Sequence, residues 1–106
     1  MGPKTRMLCD RLRETADLLR RVGEHHWCDC IEESLRCIEN SDFSAIERLR
    51  AAFGGMGSFN DLIIASVNGH AVSDDGYSAV NTRLDELRHE LYELAEHIRH
   101  NAEIMG

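Results

Sequence analysis

The strongest constraint on this chain is an apolar stripe near its C-terminal end. Tyr77, Val80, Leu84, Leu87, Leu91, Leu94 and Ile98 alternate spacings of three and four without a miss. At 3.6 residues per turn such spacing draws one line along a helix, whereas a strand would scatter the same residues over both faces. The stripe predicts a helix over about residues 74–101, of which about 25 residues would run roughly 38 Å. Ser73-Asp74-Asp75 supplies a start signal, with carboxylates at the positive end of the helix dipole. An element of this length needs shorter helices, or a second copy of itself, to cover its seam.

Three shorter helices are legible upstream. Leu8, Leu12, Ala16, Leu19 and Val22 predict an amphipathic helix over about 4–22, ended by Gly23. Trp27, Ile31, Leu35 and Ile38 mark a second over about 24–39. Asn40-Ser41-Asp42 breaks the pattern, and Ser44 with Glu47 has the spacing of a capping box. The third helix, about 43–53, turns Ile46, Leu49 and Phe53 inward before Gly54-Gly55 stops it.

The stretch 54–73 departs from helix. Gly54, Gly55 and Gly57 cluster around Met56, and glycine is kept where backbone must turn sharply or be approached closely. Leu62 to Val67 is β-prone, and Asn68-Gly69 suits a tight hairpin turn with His70-Ala71-Val72 returning. A short β-hairpin is one reading and an ordered loop the other. The expected architecture is a mainly all-α single domain over 1–106: a compact four-helix bundle with a glycine-rich turn between helices three and four.

Charge narrows the function. The formal net charge is −7, with residues 4–22 at +3, 24–39 at −4 and 74–103 at −5. Acidity disfavours a phosphate-backbone ligand and suits a basic protein partner. No apolar run approaches a membrane span, and no apolar segment follows the basic start, so a cytoplasmic protein without membrane contact is expected. Cys9, Cys28, Cys30 and Cys37 then read as reduced thiols serving as small hydrophobes.

Chemistry-bearing patterns are weak. His25, His26, Cys28 and Cys30 resemble a metal cluster, but Cys30 and Cys37 lie about 10.5 Å apart along a helix, too far for one zinc ion. Glu86 and His89 have the spacing of half a di-iron site, yet His89 falls opposite the seam. The glycine segment lacks the lysine of a phosphate loop and follows a helix. A set of Ser58, Asp61 and His70 lacks a nucleophile elbow. Neither a catalytic residue, a metal nor a cofactor is expected.

The string from Ala52 to Leu62, Ala-Phe-Gly-Gly-Met-Gly-Ser-Phe-Asn-Asp-Leu, followed by Asn68-Gly69 and preceded by Gly23-Glu24-His25-His26-Trp27, resembles a family of small bacterial proteins of unknown activity. The resemblance spans about residues 8–98 and carries no catalytic residue with it. Small acidic proteins of this type are often found as immunity proteins beside bacterial toxins. The leading expectation is a non-enzymatic binding protein, an immunity- or antitoxin-like inhibitor of a basic effector. Its partner-binding candidates are Phe59, Asn60 and Asp61 at the glycine turn, with Glu32, Glu33, Glu86, Glu90 and Glu93 on helices two and four. The alternatives are a homodimer through the last helix, and a small ligand- or metal-binding domain using His25, His26, Asn60, Asp61 and His70.

Overall fold

The computed structural model describes residues 2–53, 59–65, 69–72 and 76–100, which hold four α-helices and no strand. These are α1 (Pro3–Arg21), α2 (His25–Glu39), α3 (Ser44–Ala51) and α4 (Gly76–His100), with a 3-10 turn at Phe59–Asp61. The described part is therefore all-α. The glycine-rich residues 54–58, the hairpin tip at Asn68 and the helix-start signal at Ser73-Asp74-Asp75 lie outside the described residues.

Two helix ends share one device. Gly23 takes φ +80°, its N–H donates to the Arg20 carbonyl, and the Glu24 N–H reaches the Leu19 carbonyl at 2.9 Å. This is a Schellman end, where one left-handed residue lets its own amide and the next satisfy carbonyls the helix would orphan. At the end of α2, Ser41 takes φ +64°, with Ser41 N–H to Ile38 and Asp42 N–H to Cys37 at 2.7 Å. A serine thus occupies a position glycine fills more cheaply. The start of α3 differs from the expected capping box. Asp42 Oδ1 accepts from both the Ser44 amide (3.2 Å) and the Ser44 hydroxyl (2.6 Å), so the carboxylate two residues earlier does the capping. Glu47 turns outward to Arg50 and Arg99 instead.

The helices pack α1 on α2 and α4, α2 on α3, and α3 on α4. Leu8, Leu12 and Leu19 of α1, Ile31 and Ile38 of α2, Ile46 and Leu49 of α3, and Leu84, Leu87, Leu91 and Ile98 of α4 fill the core between them. The α4 seam is therefore taken up inside the chain, which removes the motive for a second copy to cover it.

No β-hairpin is seen among the described residues, and the side chains explain why. The Asn81 amide pairs with Ile64 as a neighbouring strand would: Oδ1 accepts the Ile64 N–H at 2.8 Å and Nδ2 donates to the Ile64 carbonyl at 2.8 Å. The Ala65 N–H goes to His70 Nδ1 at 3.0 Å. The Tyr77 hydroxyl donates to the His70 carbonyl and accepts from the Val72 N–H. One backbone bond does join the two arms, His70 N–H to the Ala65 carbonyl at 3.3 Å, but the other groups named here are satisfied by side chains from α4 and the segment itself. No described helix is long and apolar enough to cross a membrane.

Candidate functional site

Helix α3 has eight residues and α2 has fifteen. At about 1.5 Å per residue, α3 is roughly 10 Å too short to cover its neighbour. The mismatch leaves a groove of about 520 Å³ between them, within the range of about 300–1,000 Å³ common for binding sites. Buried Ile31 and Leu49 form its floor with half-buried Trp27 and Ala52. Its rim carries Asp29, Glu32 and Glu33 against Arg36 and Arg48. Glu32 is paired with Arg20, and Glu33 with Arg36 at 2.8 Å. Arg48 Nη2 donates to Cys37 Sγ at 3.2 Å.

The sequence candidates divide among several places. Glu32 and Glu33 stand on this rim. Phe59 is fully buried, 5.2 Å between ring centroids from Trp27 and 5.7 Å from Phe53, and belongs to the core instead of a contact surface. The chain turns it inward because Arg88, itself buried, lies over its ring and donates Nη1 to the Phe59 and Leu62 carbonyls at 2.7 and 2.9 Å. Exposed Asn60 donates to the Phe53 carbonyl at 2.9 Å, a local staple of the turn. Asp61 is exposed next to it. On α4, Glu86 pairs with Arg83 and Glu90 with Arg11, while exposed Glu93 has no ion pair among the described residues.

His70 is buried beside Glu24 and not beside Asp61, with Nε2 3.1 Å from Glu24 Oε1. The Ala65 amide donates to Nδ1, which places the ring proton on Nε2, directed at the carboxylate. Glu24 also accepts from the Trp27 N–H at 3.1 Å and so caps α2. Burial pushes the Glu24 carboxyl up, but the hydrogen bonds from His70 and the Trp27 N–H outweigh it and hold the group below its ordinary value. A histidine side chain only 2% exposed is closed to substrate, so this pair ties α2 to the 69–72 segment structurally.

His25, His26 and His89 are exposed, and no three His, Cys, Asp or Glu side chains among the described residues gather where they could hold a metal. Cys9 and Cys28 are buried, Cys37 half-buried and Cys30 exposed. Burial, then a hydrogen bond to Glu32, pushes the Cys28 thiol up to about 11.

The residues that sequence reasoning missed had a signal. Asn81, Arg88 and Ala95 follow one another at seven-residue steps beside the apolar columns of α4, which places all three on its inner face. A polar residue in such a column is there to meet buried backbone.

A family model described as a domain of unknown function (DUF6966) matches residues 20–73, half of the chain, and the chain belongs to that family. The match contains all the groove-lining residues named above. No curated protein and no solved structure matches the chain.

Proposed function

We propose that this chain is a non-enzymatic protein-binding module, an immunity- or antitoxin-like inhibitor of a basic bacterial effector, acting in the cytoplasm. On this reading the ring of helix contacts is a compact four-helix bundle, rigid enough to present a fixed surface. The observation that carries it is the α2–α3 groove, a preformed apolar cleft whose α2 rim bears Asp29, Glu32 and Glu33. Apolar contact in the cleft would supply affinity, and the acids would speed encounter with a basic surface. The chain's net charge of −7 works in the same direction at long range and against nucleic acid.

The test pairs the chain with the product of its neighbouring gene. Co-expression should relieve growth inhibition by that product, and the two should co-elute as one complex. Asp29→Lys with Glu33→Lys should slow association more than it speeds dissociation. The reading fails if no complex forms with the neighbour's product and immobilised chain retains no specific basic protein even at low salt.

A further inference from the structure

Three of the four helix contacts are laced by paired charges. Arg13–Glu39 and Arg20–Glu32 join α1 to α2, Arg11–Glu90 and Arg83–Glu14 join α1 to α4, and Arg50–Glu96 and Arg99–Glu47 join α3 to α4. The fourth contact, α2 with α3, has no ion pair among the described residues. There Arg48 donates to the Cys37 sulfur, a weak acceptor, and feels the charges of Asp42 and Glu33 without forming an ion pair with either. Toward the other end of α2, exposed Asp29 likewise has no ion pair among the described residues. Ile31 lies between the two along α2, and Leu49 of α3 and Trp27, half a turn before Asp29, line the same groove.

The spacing fits one kind of occupant. Asp29 and Cys37 are eight helical residues apart, about 12 Å. An extended peptide covers that distance with about four residues at roughly 3.3 Å each. We infer that the groove seats a short extended segment of a partner protein, with a basic side chain facing Asp29, an apolar side chain on the Trp27–Leu49 floor, and a carboxylate facing Arg48. This rests on the protein-binding reading and states what the bound segment looks like. A wholly apolar ligand would strip water from both charges and pair neither. A polybasic segment would satisfy Asp29 and set a cation against Arg48.

Trp27 is the chain's single tryptophan, so its emission reports occupancy of the groove directly. A random hexapeptide library is selected on the folded chain, and enriched peptides are titrated against Trp27 fluorescence. The expected consensus is a base and an acid three or four positions apart with an apolar residue between. Arg48→Glu should weaken the best peptide about fivefold or more, and Asp29→Lys with Arg48→Glu should reverse the preferred order of charges. Cys37→Asp, which gives Arg48 a carboxylate of its own, should weaken the same peptide while melting no lower than the parent. Absence of any enriched peptide, a purely basic consensus indifferent to Arg48→Glu, or binding that leaves Trp27 emission unchanged overturns the inference. If the complex with the neighbour's product still forms in those cases, the groove assignment has failed and the protein-binding reading stands.

Discussion

Replacing Asn81 with alanine tests the claim that a side-chain amide stands in for a β-strand. Asn81 accepts the Ile64 N–H and donates to the Ile64 carbonyl, each at 2.8 Å, and Ile64 is 1% exposed. Truncation leaves one donor and one acceptor at a buried residue without their partners, at about 1–2 kcal/mol apiece. A third bond, from Nδ2 to the Tyr77 carbonyl, adds little, since that carbonyl lies in a helix. The expected loss is about 2–4 kcal/mol, a large part of the roughly 5–15 kcal/mol a domain of this size holds. At about 4 °C per kcal/mol the melting temperature should drop by roughly 8–16 °C. Urea unfolding followed by circular dichroism measures the loss, and hydrogen exchange at the Ile64 and Ala65 amides locates it. Asn81→Asp should cost at least as much, because a carboxylate accepts the Ile64 N–H but faces two carbonyl oxygens. If Asn81→Ala loses less than about 0.5 kcal/mol and Ile64 keeps its protection, the amide is not what holds the segment.

Ser41→Gly should stabilise by about 0.5–1 kcal/mol, since glycine accepts the φ of +64° that serine adopts under strain; an unchanged urea midpoint refutes it. The Glu24 carboxyl is held below its ordinary value, so its contribution is complete above that value and fades as pH falls through the lower, folded one. Glu24→Gln should therefore start less stable at neutral pH and lose less on acidification, and parallel stability curves for the two proteins would contradict this. Native alkylation at pH 8 should modify exposed Cys30 well before Cys28, whose thiol sits up at about 11; comparable rates by peptide mass spectrometry would show that Cys28 is open.

What the sequence made legible was whatever follows from periodicity. The stripe from Leu84 to Ile98 faces the core because spacing alone decides which side of a helix a residue occupies. Gly23 ends α1 because a left-handed residue is needed at that point and glycine takes it at least cost. Leu62 to Ala65 misled because local β-propensity does not say which groups will satisfy the backbone. Here they come from Asn81, Tyr77 and His70, one of them seventeen residues away in sequence. Phe59 misled for a related reason. Beside polar Asn60 and Asp61 it looked like part of a surface turn, while Trp27 and Arg88, which draw it inward, are distant in the chain. The groove had no sequence signal beyond the short length of α3.

Charge was the property whose meaning changed most between sequence and structure. An excess of acid on α2 and α4 suggested surfaces waiting for a basic partner, yet Glu32, Glu86 and Glu90 are each met by an arginine of this chain. Exposed pairs of this kind contribute about 0–1 kcal/mol apiece, so their main effect is to fix helix register and cancel local field. A partner approaching those faces meets charges already neutralised, and separating them would cost roughly what new pairs return. Net charge therefore predicts the rate at which a basic protein arrives more than the place where it settles. The place is better sought where the lacing stops. Among the described residues that is the α2–α3 contact, where an aspartate and an arginine flank apolar surface and neither forms an ion pair.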